Sequence, residues 1–156
     1  MARDTRDLPQ ASSLSKVRDY VAAIAAGHDR DRRDAGDAIG LSARHADYYG
    51  LSATVTLALA ATERGRLAVT PLGRELLSTR VGSLAERDVL RRAIADSVSV
   101  TSIAPDLVET DGPSIQALTQ RMIHAGLSPN TARRRASTLL SWRRYVFDGQ
   151  GTFELV

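Results

Sequence analysis

Cysteine is absent from the 156 residues, which removes disulfides, thiolate metal ligands and cysteine nucleophiles together and fits a reducing compartment. No stretch approaches the roughly 18 unbroken apolar residues of a membrane span. The charged start Met1-Ala2-Arg3-Asp4-Thr5-Arg6-Asp7 has no apolar run of the kind that opens a secretory signal. A cytoplasmic protein without membrane contact is therefore expected. Lysine is nearly missing too: every cation but Lys16 is an arginine, a bias that a high-GC genome produces by itself. What is present is ordinary for a globular domain, 43% hydrophobic and 25% charged, so wholesale disorder is excluded.

The net charge of +3 is small but unevenly placed. Residues 1–40 are balanced, 41–80 are basic, 81–120 are acidic, and 121–156 set six Arg against Asp148 and Glu154. Two basic zones flanking an acidic one point to a polyanionic partner more than the total does.

Residues 1–12 read as a flexible tail. Leu14, Val17, Val21 and Ile24 then recur at helical spacing, with Gly27 as a stop. A second helix is expected over 31–39. Ser42 caps a third, whose inward stripe is Ala46, Tyr49, Ala53 and Leu57. Arg64-Gly65-Arg66 lies between Leu57-Ala58-Leu59-Ala60 and Leu67-Ala68-Val69 and reads as the tip of a hairpin. Thr70-Pro71 opens a helix to about Thr79, and Ser83-Leu84-Ala85-Glu86 is a capping box for another to about Ser97. Residues 98–112 read as a long connection that includes a short strand. A helix follows over 115–125.

Sliding the chain against itself by 86 residues sets Gly40-Leu41-Ser42 on Gly126-Leu127-Ser128, Ala46 on Ala132, Gly65 on Gly151, Leu67 on Phe153 and Val69 on Leu155. A turn, a helix and a hairpin recur at fixed spacing. In the second copy Ser128 caps, Pro129 takes the first helical position, and Ala132, Ala136, Leu139 and Trp142 form the buried face. Tyr145-Val146-Phe147 and residues 152–156 then read as two strands around a turn at 148–151. The last residues fall on that second strand, so the chain is either a whole protein or the recognition domain of a longer enzyme.

Helix, helix, turn, helix, hairpin is the order of a winged helix-turn-helix. Ala38-Ile39-Gly40-Leu41-Ser42 with Asp47-Tyr48-Tyr49, the run Gly65-Arg66-Leu67-Ala68-Val69-Thr70-Pro71-Leu72-Gly73-Arg74-Glu75-Leu76-Leu77, and Thr131-Ala132-Arg133-Arg134-Arg135 leading to Ser141-Trp142-Arg143-Arg144-Tyr145 resemble winged-helix modules. Such modules occur alone or fused to restriction endonucleases and other bacterial DNA-processing enzymes. Val69 stands where that group usually has Leu in its Leu-Thr-x-x-Gly-Arg-x-Leu-Leu ending. The resemblance covers residues 14–156. It implies a mainly α tandem winged helix-turn-helix, with modules at 13–80 and 81–156, that binds double-stranded DNA as a monomer with pseudo-two-fold modules or as a homodimer.

On each expected recognition helix the capping serine and the first outward side chains would meet DNA, because free N–H groups and a hydroxyl suit phosphate while Arg and Asn suit base edges. The first set is Ser42, Arg44, His45 and Tyr48. The second is Ser128, Asn130, Thr131, Arg133 and Arg134. Arg64 and Arg66 beside one hairpin glycine, and Arg144 (with Arg143) before the other, are expected on phosphates. Taken alone, each charged run is a solvated helix face; its place at the start of a repeated helix is what points to DNA. Tyr48 faces outward, where a thymine or 5-methylcytosine methyl could meet it, while Tyr49 and Trp142 belong to the core.

Catalysis finds no support. His28, His45 and His124 show no metal-ligand spacing, the acidic residues of 29–37 alternate with Arg as a salt-bridged surface does, and Lys16 lacks the acidic pair of a restriction-type nuclease. No phosphate loop or nucleophile elbow occurs. The expectation is a sequence- or modification-selective DNA binder with no cofactor, no metal and no enzymatic activity, as in the recognition part of a restriction-type system that reads methylated cytosine. A dimeric transcriptional regulator and a protein-interaction module on the same fold are the alternatives.

Overall fold

A computed structural model of the chain describes residues 8–148. Over them the fold is mainly helical, with one two-stranded antiparallel sheet. Short polar caps set most of the boundaries. Ser13 accepts from the Lys16 amide and starts α1 (Leu14–Ala25), which buries Leu14, Val17, Tyr20, Val21 and Ile24. Asp31 caps α2 (Arg32–Ala38) and Ser42 caps α3 (Ala43–Leu51), which runs on into one π-helical turn, Ser52–Thr56. Side-chain oxygens at these positions accept amide N–H groups that the first helical turn leaves unpaired.

A hairpin follows, β1 (Ala60–Glu63) against β2 (Arg66–Val69), with Glu63 opposite Arg66 and Ala60 opposite Val69. Both tip residues, Arg64 and Gly65, have positive φ, as a two-residue type I′ turn requires. That turn fixes the register, so β1 falls on 60–63 and not on the expected 57–60. Leu57 and Leu59 are buried in the irregular link before it. Thr70 then caps α4 (Pro71–Leu77), and Ser83 caps α5 (Leu84–Ala95).

Three expectations are overturned. Residues 98–101 form a short helix, α6 (Val98–Thr101), capped by Ser97. A β-branched run needs a partner strand, and the only sheet among the described residues is the hairpin. After α7 (Ile115–His124), α8 runs unbroken over Pro129–Asp148, so Tyr145-Val146-Phe147 is helical and not a strand. Trp142, Tyr145 and Val146 extend the buried face of Ala132, Ala136 and Leu139 at helical spacing, and Arg87 donates to the Phe147 carbonyl at 2.8 Å. Asp148 still belongs to α8 and is the last described residue; the rest of the expected turn and the strand at 152–156 lie outside the described residues. Third, the stretch read as a tail is in part core: Leu8 and Ala11 are fully buried, and the Trp142 indole donates to the Ala11 carbonyl at 2.7 Å. Residues 1–7 lie outside the described range.

One continuous core joins both halves, from Leu8 on the N-terminal segment through Leu14, Leu57, Leu90 and Leu118 to Val146. Arg18 of α1 crosses to Glu86 of α5 at 2.7 Å, and Tyr145 of α8 donates to the same carboxylate at 2.6 Å.

Candidate nucleic-acid interface

The turn between α2 and α3 and the turn between α7 and α8 have the same hydrogen bonds. At the first, Ile39 and Leu41 donate to the Gly36 carbonyl and Gly40 to that of Asp37; at the second, Ala125 and Leu127 donate to Met122 and Gly126 to Ile123. All lie between 2.9 and 3.1 Å. Gly40 and Gly126 both have positive φ, +78° and +108°, which a side chain would strain. The helix after each corner begins alike: Ser42 accepts from the His45 amide, and Ser128 from the Thr131 amide. The corners differ in how closely their helices pack. A Cβ on Gly36 would collide with that of Ala46, whereas its counterpart Met122 keeps a full, buried side chain.

Past the caps, polar contacts continue outward. Ser42 Oγ lies 3.1 Å from His45 Nδ1, and the His45 ring stands edge-on to Tyr48 with 5.7 Å between centroids. On α8, Ser128 Oγ donates to Thr131 Oγ1 at 3.1 Å, and Arg134 reaches that oxygen at 3.5 Å. Tyr48 and Arg134 occupy the same position relative to their capping serines.

These two positions meet. An open groove of about 400 Å³ runs between α3 and α8, walled by Arg44 and Tyr48 on one side and Arg134, Arg135 and Thr138 on the other, with Gln10 and Ser12 from the N-terminal segment completing it. No carboxylate among the described residues lines it. Among the described residues no ion pair involves Arg44, Arg133, Arg134 or Arg135, while Arg18, Arg30, Arg66, Arg92 and Arg121 each hold a carboxylate. Burial, and after it the charge of Arg134, lower the pKa of the Arg135 guanidinium from its ordinary value. Its Nε–H is buried without an acceptor among the described residues. A donor in that state is costly until an acceptor reaches it.

The expected DNA contacts therefore divide. Arg44, Tyr48 and Arg134 wall one groove; Ser42, His45, Ser128, Asn130, Thr131 and Arg133 lie on the first turns of the same two helices, and all but Thr131 are exposed. Arg64 and Arg66 lie on the hairpin and do not line the groove. Arg64 is exposed at the tip, and Arg66 donates to Asp29 at 2.7 Å. Arg144 is half-buried, ten residues beyond Arg134 and so about 15 Å farther along α8. Its expected place at the root of a second hairpin is lost with the strand. Arg143 is structural: its guanidinium donates to the carbonyls of Leu107, Glu109 and Thr110 at 2.6–3.0 Å and stacks on Phe147.

Sequence reasoning missed Gln10, Ser12, Arg135 and Thr138. Arg135 follows the outward pair Arg133-Arg134 and turns toward α3. The only signal for Ser12 and Gln10 was Leu8 and Ala11 beside them, apolar residues at a spacing too short to define an element. Among the described residues no three His, Asp or Glu side chains come together as metal ligands would, and no helix is long and apolar enough to cross a membrane. No family model, curated protein or solved structure matches the chain.

Proposed function

We propose that the chain binds duplex DNA through the first turns of α3 and α8, as two helix-turn-helix units of the winged-helix kind, the first carrying the β1/β2 hairpin as its wing. The observation that carries this reading is the convergence, beside two serine-capped helix starts, of guanidiniums from both helices that have no carboxylate partner among the described residues. Helix N-termini and free Arg side chains favour phosphate, and Arg and Asn on the exposed first turns fit guanine and adenine edges. Binding is site-selective, and half-exposed Tyr48, braced by His45, is the side chain suited to a pyrimidine methyl. Cleavage forms no part of this reading.

A binding selection on random duplexes, run as unmodified and cytosine-methylated pools, tests the reading and supplies the site. On that site Arg134→Ala costs about 1–3 kcal/mol and much less on scrambled duplex, the signature of a base contact. Equal losses on both DNAs would reduce α8 to a backbone grip. Absence of duplex binding at low salt would reject the reading in favour of a protein-interaction module, and metal-dependent cutting of the bound duplex would show an enzyme.

A further inference from the structure

We infer that the groove between α3 and α8 seats one backbone phosphate of the duplex, so that the two helices address a single continuous stretch of DNA and not two half-sites a helical turn apart. This rests on the DNA-binding reading above and adds to it where the backbone lies and how far the contact extends.

The groove holds unmet chemistry. Arg44 comes from one helix and Arg135 from the other, Arg134, read above as a base contact, adds its charge to the same wall, and none of the three has a carboxylate partner among the described residues. Like charges on facing walls repel unless an anion lies between them. Arg135 adds a buried Nε–H that no acceptor among the described residues satisfies. Its neighbours in the groove offer little help: Thr138 Oγ1 already donates to the Arg134 carbonyl at 3.2 Å, and Ser12 engages Ser141 through its carbonyl at 2.9 Å. A tetrahedral phosphodiester carries two anionic acceptor oxygens, which suits guanidinium forks, and a groove of about 400 Å³ admits it.

Spacing then limits the footprint. Proteins that read two half-sites hold their recognition helices about 34 Å apart. Here α3 and α8 are close enough for their side chains to wall one groove, so they cannot enter successive turns of the major groove. A backbone running between them would let each helix start face bases to one side of that phosphate.

The test uses the full chain and the selected duplex. Arg44→Gln and Arg135→Gln should each lower the slope of log affinity against log salt by about one, on selected and scrambled duplex alike. Duplexes with one neutral methylphosphonate, moved along the backbone, should reveal a position where neutralisation weakens the parent chain about tenfold but leaves Arg135→Gln little changed, since the two losses remove one contact. Hydroxyl-radical protection should span about one helical turn, and the Arg135 Nε–H resonance should shift when duplex is added. Arg44 is exposed, so its variant carries the test even if Arg135→Gln does not fold.

Duplex binding with unchanged salt slopes in both variants, or two protected patches a turn apart, would overturn the phosphate seat and leave the DNA-binding reading intact. No duplex binding would overturn both. Inorganic phosphate moving the Arg135 resonance in a chain that ignores duplex would assign the groove to a free anion and overturn the phosphodiester.

Discussion

Glu86 shows how one side chain can serve two purposes. Its place three residues after Ser83 marks it as the closing member of a capping box, and Ser83 does accept the Glu86 amide at 3.1 Å. The carboxylate, fully buried, instead takes the Gly82 amide at 2.8 Å, the Arg18 guanidinium at 2.7 Å and the Tyr145 hydroxyl at 2.6 Å. Burial first, and the bond to Glu86 after it, raise the Tyr145 hydroxyl well above the usual tyrosine range, which keeps it a donor. A buried pair stabilises little relative to an apolar replacement, but losing one member leaves a charge stranded. Glu86→Ala should therefore cost about 3–5 kcal/mol in urea unfolding, while the double change Arg18→Met with Glu86→Leu should cost far less. Equal losses would mean that packing, and not the stranded Arg18 charge, sets the penalty.

At the scale of elements, the sequence revealed what is capped locally and concealed what is decided at a distance. Ser13, Asp31, Ser42, Thr70, Ser83 and Ser114 each sit at the start of a helix, and the glycine corners announced themselves by repeating. Tyr145-Val146-Phe147 misled because β-branched and aromatic residues favour strands only where a neighbouring strand exists; here the apolar face of α8 wins. The groove was legible only as two separate basic faces, since periodicity tells which side of a helix is polar but not which helix lies opposite. Residues 98–112 read as a long connection, yet it is held in place: Arg121 donates in a fork to Asp106 at 2.7 and 3.0 Å and Arg143 donates to three of its carbonyls. The hydrogen bond from Arg121 lowers the Asp106 pKa below its ordinary value. With the folded pKa below the unfolded value of about 3.9, the stabilisation is complete above that value and is lost as pH falls through the folded one. Both side chains are about a third exposed, which limits the pair to about 1 kcal/mol or less. Asp106→Asn should thus be less stable than the parent at neutral pH, and the gap should close as pH falls below the ordinary carboxylate range. A gap independent of pH would show that the carboxylate charge is not what holds this connection.

At the scale of the molecule, the two halves of the chain are not separable beads. The boundary expected near residue 80 is crossed by the Arg18–Glu86–Tyr145 network, and the single core runs from Leu8 to Val146. The N-terminal segment seals the arrangement: it lies against α8 through Ala11 and Trp142 and against α3 through the Ser13 amide, which donates to the Tyr49 hydroxyl at 3.2 Å. Loss of either half would expose apolar surface that the other covers, so unfolding should be one cooperative event. Trp142, the only tryptophan, reports on that seam through its fluorescence, while far-UV circular dichroism reports on every helix. The two should trace the same urea transition with one midpoint and one slope. A fluorescence change that precedes the loss of helix would mean that α8 and the N-terminal segment part while α1–α3 remain folded. The α3/α8 groove would then open without global unfolding, and DNA affinity would fall at the denaturant concentration of the fluorescence midpoint, not at that of the helical one.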